Sequence, residues 1–186
     1  DGVPLMASTY HDGLANGKWS LQREANMLDG GAPFYGCYTC ADGKYISLGA
    51  LEPQFYRLFL QLCEIDDPAF LDQWNKQQWP ALRVKLEVLF LTRTRDQWCE
   101  LLEGTDVCFA PVLDFSEAPR HPHHQARSNF IESNGVVHPA PAPRLSRTPA
   151  QAGPIAKTGE HTLEILQQLG LNEADIAALR QRGAIR

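Results

Sequence analysis

The sequence has little that would suit a membrane or a nucleic acid. No apolar run approaches the roughly 18 residues that a helix needs to cross a bilayer, and the start DGVPLMAS lacks the basic and then apolar layout of a secretory signal. The formal net charge is -5, and lysine and arginine are spread along the chain rather than gathered into a basic patch. We therefore expect a soluble, cytoplasmic protein that binds neither membranes nor nucleic acids, so its partner should be a small molecule or another protein.

Cysteine is too sparse, and odd in number, for a secreted disulfide scaffold, so the five cysteines are expected to be reduced. Cys37 and Cys40 form a C-x-x-C pair, but a zinc ribbon needs a second such pair. Aromatic residues and threonine surround this one, which favours ordinary packing in a strand. The HPHH run at 121–124 lies among prolines and has no matching ligand pair, which favours a loop or a short helix. We predict no metal site.

The common catalytic signatures are also missing from the sequence. It contains no phosphate-binding glycine loop before a helix, no G-x-S-x-G elbow and no H-E-x-x-H. What it does have is 186 residues with 44% apolar content, enough for one good-sized domain or two small ones. The chain begins with Asp1 rather than methionine, and we expect it to be part of a longer protein.

Residues 31–120 carry the pattern of a compact α+β unit. Strand-like runs at 34–40 and 44–48 flank Asp42-Gly43, a tight-hairpin signal. Apolar residues at helical spacing then predict three helices, after Pro53, over 80–91 and from Thr94, where Gln97 completes a capping box. We assign Trp74, Trp79 and Trp98 to the core of this unit.

The flanking segments give weaker signals. Residues 6–20 predict the tail of a helix and an irregular connection. Residues 108–113 contain Pro111 and suit an edge strand, and Asn134-Gly135 predicts a second hairpin. Residues 139–154 hold five prolines and should be extended, and two helices should follow over 160–169 and 172–182.

Glu52 is the one residue that the pattern alone marks for chemistry. It lies between the second strand and a helix that starts at Pro53, where a rigid backbone suits a carboxylate that orients or shares a proton. The plainer alternative is a helix N-cap or first-turn acid that the helix dipole favours.

The run ANMLDGGAPFY followed by ADGKYISLGALEPQFY resembles the small-domain signature of the class III, formyl-CoA transferase-like, CoA-transferase superfamily, and EPQF points to its α-methylacyl-CoA racemase branch. The segments DVCFAPVLDFSEA, PAPAPRLSRTP and GEHTLEILQQLGL agree with the family in order. The resemblance covers nearly the whole chain. It implies a 2-methylacyl-CoA racemase that removes the proton α to a thioester and returns it to the opposite face through an enolate.

The resemblance also implies roles for residues. Glu52 would orient a catalytic imidazole, Met27 and Tyr35 would contact the substrate, and coenzyme A would be part of the substrate with no other cofactor. For Met27, the role of an ordinary core methionine is as good an explanation, and Gly30 and Gly31 should serve a turn before the first strand.

The family's catalytic histidine and aspartate belong to upstream segments, and none of the six histidines here falls in an equivalent motif. The resemblance therefore implies the C-terminal part of a homodimeric racemase, inactive by itself and lacking most of a Rossmann-like domain. We divide it into a linker helix and connection at 1–30, the small domain at 31–120, and a return segment with C-terminal helices of the large domain at 121–186.

Two alternatives stay open. The first is a CoA-transferase of the same superfamily, in which an upstream aspartate forms an anhydride with the acyl group. The second is a non-catalytic dimerisation fragment.

Overall fold

The computed structural model describes residues 1–185, which form helices and small antiparallel sheets, confirming the predicted α+β class. The chain separates into two compact units, residues 1–113 and the residues from 114 onward. The boundaries at 30 and 120 that we drew from the sequence stay a prediction. No helix in the described part of the chain is both long and apolar enough to cross a bilayer.

A three-stranded sheet organises the first unit. Strands β1 (Tyr35–Thr39) and β2 (Tyr45–Gly49) form the predicted antiparallel hairpin. Its turn closes where Gly43 has a φ of 75°, a conformation that glycine adopts without strain. Strand β3 (Phe109–Val112) pairs antiparallel with the other side of β2, so the order is β1-β2-β3 and β3 lies at the edge, as Pro111 predicted.

Three helices bury one face of this sheet. Helices α3 (Pro53–Leu62), α4 (Trp79–Phe90) and α5 (Arg95–Leu102) begin within a residue or two of their predicted starts. The capping box of α5 forms as predicted, because the Thr94 hydroxyl accepts from the Gln97 N–H and the Gln97 side chain accepts from the Thr94 N–H.

The core between sheet and helices is largely aromatic. Phe34 meets Tyr56 and Trp79 edge to face, with ring centroids 5.6 and 5.7 Å apart, and Phe90 does the same with Trp98 at 5.1 Å. Burial of each such side chain contributes about 1.5 to 3 kcal/mol. Trp79 and Trp98 are buried as predicted, but the core assignment of Trp74 is wrong in part, because half of its side chain (49%) is exposed at the edge of Phe34.

The N-terminal segment is more helical than the sequence indicated. Helices α1 (Gly2–Met6) and α2 (Ser8–Ala15) cover most of the first 15 residues, and α2 continues through Gly13. Trp19 explains the difference, because it packs on Tyr10 with ring centroids 4.8 Å apart and lies directly against Gly13. A side chain at position 13 would crowd the Trp19 Cβ at 3.0 Å, so the glycine lets the indole cover the helix.

The second unit holds short elements. Strands β4 (Phe130–Ser133) and β5 (Val136–Pro139) form the hairpin predicted at Asn134-Gly135, and both turn residues have positive φ. The remaining helices are α6 (Pro122–Ala126), α7 (Thr162–Gln168) and α8 (Glu173–Gln181), and residues 140–157 contain no helix or strand.

Two buried tyrosines should respond in opposite ways to loss of the hydroxyl. Tyr38 donates to the Pro33 carbonyl, whereas the Tyr56 hydroxyl has no hydrogen-bond partner among residues 1–185. We expect Tyr38→Phe to lower the free energy of unfolding by about 1 to 2 kcal/mol and Tyr56→Phe to leave it unchanged or raise it by up to about 1 kcal/mol. Urea denaturation of the two variants checks this. Equal losses would contradict the assignment of the hydrogen bonds.

Candidate functional site

Glu52 occupies the junction that the sequence predicted, at the N-cap position of α3. Its backbone is extended (φ -72°, ψ 140°), and Pro53 takes the first helical position, where a missing N–H costs no helical hydrogen bond. The carboxylate does not cap the helix by a hydrogen bond, and the residue is exposed. Among residues 1–185 its side chain makes no hydrogen bond or ion pair, so it is available to a group from outside the chain.

Hydrogen bonds fix the backbone of residues 49–51, the segment just before Glu52. The Gly49 N–H donates to the Cys108 carbonyl at 2.8 Å, and the Leu51 N–H donates to the Gly49 carbonyl at 2.8 Å. The side-chain amide of Gln73 donates to the Ala50 carbonyl at 3.2 Å and to the Leu51 carbonyl at 2.9 Å. Sequence reasoning missed Gln73, since no local pattern pairs it with a segment 22 residues away.

Cys108 is the second residue at this junction that sequence reasoning missed. It is exposed just before β3, with a φ of 54°, which is uncommon for a residue with a side chain. Partial burial raises the pKa of its thiol, and the negative charges of Glu52 and Asp106 raise it further. Burial and the neighbouring negative charges both favour the protonated thiol.

The NMLDGG segment before β1 is a loop tied together by one carboxylate. Asp29 accepts from the Asn26 side-chain amide at 2.7 Å, from the Asn26 N–H at 2.8 Å and from the Gly31 N–H at 3.2 Å. Asn26 is buried and also exchanges two hydrogen bonds with the Ser20 backbone. A side chain at Gly31 would come within 2.7 Å of the Asn26 carbonyl, so the predicted glycine turn is confirmed with a steric reason.

Tyr35 lines a shallow cavity of about 350 Å³ on the outer face of the sheet. Cys37, Ser47, Gly49 and Cys108 also line it. Tyr35 lies opposite Gly49 in the β1–β2 register, and its ring covers the glycine. The cavity thus reaches the end of β2, three residues before Glu52.

Met27 lines a different and larger cavity of about 810 Å³. Both methionines of the chain, Met6 and Met27, contribute to it. Its aromatic and charged lining comes from helix α2, the connection after it, the segment before α4 and the first residue of α4, namely Tyr10, Asp12, Lys18, Trp19, Trp74, Lys76 and Trp79. A lining of apolar rings with a few charged side chains suits a bulky apolar ligand group.

The structure thus separates the three residues that the resemblance had grouped. Tyr35 and Met27 line two cavities that both have Leu28 in their lining. Glu52 lines neither of the two, although its charge acts on Cys108, which lines the smaller one. Their roles stay predictions.

The C-x-x-C pair and the histidine run at 121–124 make ordinary packing contacts. Cys37 is exposed and Cys40 is buried, on opposite faces of β1 and its extension, so the two thiols do not face a common point. His124 packs on Phe130 and contacts the Asn129 amide at 2.9 Å, within the second unit. In the described part of the chain no group of three or more His, Cys, Asp or Glu side chains could hold a metal ion.

Comparison with known families decides the family of this chain. The sequence model of CoA-transferase family III matches residues 1–162. The chain belongs to CoA-transferase family III.

Its relatives include racemases and transferases. It is 42% identical over 184 residues to an alpha-methylacyl-CoA racemase of Mus musculus, which covers 96% of this chain and 48% of the mouse protein. The corresponding racemase of Homo sapiens is 40% identical, covering 87% of this chain and 43% of the human one. A (R)-2-hydroxy-4-methylpentanoate CoA-transferase of Clostridioides difficile is 24% identical over 83% of this chain. The chain spans about half the length of the racemases it matches.

A solved structure supports the fold. The crystal structure of Rv3272 from Mycobacterium tuberculosis matches with a TM-score of 0.55 at 19% identity, covering 69% of this chain and 37% of that one. At 19% identity, this similarity supports a shared fold and nothing about function.

The Asp29 loop should make stability depend on pH. Partial burial raises the pKa of Asp29, but hydrogen bonds from Asn26, Gly31 and the Ala25 backbone outweigh it and hold the pKa below its ordinary value of 3.8. A carboxyl group whose pKa is lower in the folded than in the unfolded state stabilises the fold at pH values above its unfolded-state pKa. This stabilisation is lost as the pH falls through the folded-state pKa.

We therefore expect Asp29→Asn to lower the free energy of unfolding at pH 7 by about 1 to 2 kcal/mol, since Asn accepts fewer of these hydrogen bonds. The difference from the unaltered chain should shrink as pH falls below 3.8, and urea denaturation at pH 7 and pH 3 measures it. Asp66→Asn, at an exposed aspartate, serves as the control. A deficit for Asp29→Asn that stays constant with pH would contradict the prediction.

Proposed function

We propose that this chain is the C-terminal portion of a 2-methylacyl-CoA racemase. The observation that carries the proposal is the 42% and 40% identity to two alpha-methylacyl-CoA racemases, against 24% to a CoA-transferase of the same family. The reaction would epimerise the carbon α to a coenzyme A thioester by 1,1-proton transfer through an enolate.

Such a reaction needs two bases, one on each face of the α-carbon, that exchange roles as acid and base. In the proposed enzyme these are a histidine and an aspartate from the upstream part of the protein. Glu52 would accept a hydrogen bond from the histidine, fix its tautomer and favour its protonated form. Its exposed carboxylate, at a junction with a fixed backbone and with no other partner in residues 1–185, supports this role.

We place the acyl group in the larger cavity. Its aromatic rings and its two methionines offer a wide, adaptable apolar surface for a branched or ring-containing chain. Leu28 also lines the smaller cavity together with Tyr35 and with Gly49 at the end of β2, three residues before Glu52. Met27 would therefore contact the acyl chain, and Tyr35 the part of the substrate nearer the thioester.

The proposal extends to the setting of the enzyme. It would be a cytoplasmic homodimer of fatty acid metabolism that needs no cofactor beyond the coenzyme A of its substrate. The 186-residue chain by itself would be inactive, because both bases come from outside it.

A second candidate is a CoA-transferase that moves coenzyme A between carboxylic acids. The family as a whole and the 24% identity to the Clostridioides difficile transferase favour it. It differs in mechanism, because an upstream aspartate would attack the thioester instead of removing a proton. A non-catalytic dimerisation fragment is the third candidate.

Solvent deuterium exchange tests the racemase directly. The longest reading frame that contains this chain, incubated with a 2-methylacyl-CoA in D₂O, should introduce deuterium at the α-carbon, which NMR detects. We expect Glu52→Gln to slow this exchange by about 10²-fold, because the imidazole loses the partner that stabilises its protonated form. Glu100→Gln, at an exposed glutamate on α5, is the matched control and should exchange at the unaltered rate.

The outcomes separate the candidates. If Glu52→Gln does not slow exchange at the α-carbon, the racemase assignment stands and Glu52 is only an acidic residue at the start of a helix. Transfer of coenzyme A to a second acid without α-exchange would establish the transferase, and neither activity would leave the non-catalytic fragment.

The acyl cavity gives a further prediction. Met27→Ala should raise KM about five- to tenfold for a 2-methylacyl-CoA with a long or ring-containing chain, since truncation removes apolar contact of about 1 kcal/mol or more. It should change KM less than twofold for 2-methylbutanoyl-CoA, whose chain is too short to fill the cavity. Steady-state kinetics with both substrates checks this, and equal effects on the two would place the acyl chain elsewhere.

A further inference from the structure

Gln73 is a buried polar side chain whose partners all belong to the segment just before Glu52. Only 6% of the residue is exposed, and its amide nitrogen donates to two successive carbonyls, those of Ala50 and Leu51. We propose that Gln73 is a positioning residue for Glu52, an amide clamp that fixes where the carboxylate stands. This inference rests on the proposed function and deepens it.

The geometry of the clamp gives it control over the backbone direction. Two consecutive carbonyls of an extended chain ordinarily point to opposite sides, whereas here both accept from one NH₂ group. The chain must therefore turn between β2 and α3, and the amide holds it in that turn. Ala50 is fully buried (0% exposed), so water cannot easily replace the donor, and loss of the amide would leave a buried acceptor unpaired.

The clamp itself is anchored in the core. The Trp79 indole N–H donates to the Gln73 carbonyl at 2.9 Å, and the Trp79 ring packs edge to face on Phe34. Three residues before Gln73, Phe70 is buried. The main chain of Gln73 is thereby held on both sides, which gives the side chain a rigid base.

Glu52 depends on this support because its own side chain has none. The carboxylate makes no hydrogen bond within residues 1–185, so its location follows from the backbone alone. The backbone after Glu52 is fixed by α3, where the Tyr56 N–H donates to the Glu52 carbonyl at 3.0 Å. The backbone before it is fixed by Gln73, so the clamp sets the side from which Glu52 approaches a partner.

The test is a double-mutant cycle in the longest reading frame that contains this chain, with α-deuterium exchange as the readout. Gln73→Met keeps the length of the side chain and removes both donors. We expect it to lower kcat about tenfold with KM changed less than twofold, as for a small displacement of a catalytic group. In the Glu52→Gln background the same change should lower kcat less than twofold, because a residue that acts only through Glu52 has nothing left to position.

Gln77→Met is the matched control. It makes the same substitution four residues away, at an exposed side chain, and should leave kcat unchanged. If Gln73→Met folds poorly, Gln73→Asn retains an amide that is one methylene too short and should give a smaller loss with the same dependence on Glu52. If the losses in kcat from Gln73→Met and Glu52→Gln multiply in the double variant, Gln73 has a purely structural role and the proposal is overturned. A kcat that Gln73→Met leaves unchanged would also overturn it.

Amide hydrogen exchange of the 186-residue chain separates failure of the clamp from failure of the proposed function. Gln73→Met should reduce protection of the Leu51 and Tyr56 amides at least tenfold and leave the Trp98 amide of α5 unchanged. If the Leu51 and Tyr56 amides lose protection but the longest reading frame shows no α-exchange, the role of Gln73 in fixing the backbone stands and the racemase function is rejected. Unchanged protection would overturn the clamp whatever the activity.

Discussion

The central position of strand β2 is the constraint on which the site depends. Because β2 pairs with β1 on one side and β3 on the other, neither its register nor its end can shift without breaking two ladders. The hydrogen bond from the Gly49 N–H to the Cys108 carbonyl extends the second ladder to the last residue of the strand. Glu52 follows three residues later, so the sheet fixes the point at which the junction begins, and the Gln73 amide holds the backbone between that point and Glu52.

The two faces of this sheet have different tasks. Tyr38, Ile46 and Leu48 point into the aromatic core, which α3, α4 and α5 close, and they hold the sheet to the helices. Tyr35 and Cys37 lie on the opposite face, which stays open over the smaller cavity. The packed face thus provides the rigidity, while the open face and the junction at its end remain accessible to a ligand.

The local elements were largely predictable, because each depends on chemistry within a few residues. Asp42-Gly43 determines its hairpin, Thr94 and Gln97 determine the start of α5, and Pro111 restricts β3 to an edge. The sequence also located Glu52 correctly at a strand-to-helix junction. It could not reveal the contacts that fix this junction, because Gln73 and Cys108 reach it across 22 and more residues.

The differences from expectation have the same cause. Gly13 should weaken a helix by its own propensity, but Trp19 closes over it and stabilises a longer α2 than the local pattern indicated. Trp74 carries the same apolar side chain as Trp79, yet only Trp79 has its indole N–H satisfied inside the core, by the Gln73 carbonyl. Tertiary contact decided both cases.

On the proposed function, the chain contributes an orienting carboxylate and an apolar surface, and the rest of the protein contributes the two bases. This division explains why Glu52 has no partner among residues 1–185: a carboxylate already engaged in the chain could not strengthen an imidazole from outside. It also explains why a buried amide serves the backbone before Glu52 rather than its carboxylate. A direct hydrogen bond would hold the side chain still but would also lower its basicity, whereas the Gln73 clamp orients the carboxylate and leaves its charge free for the histidine.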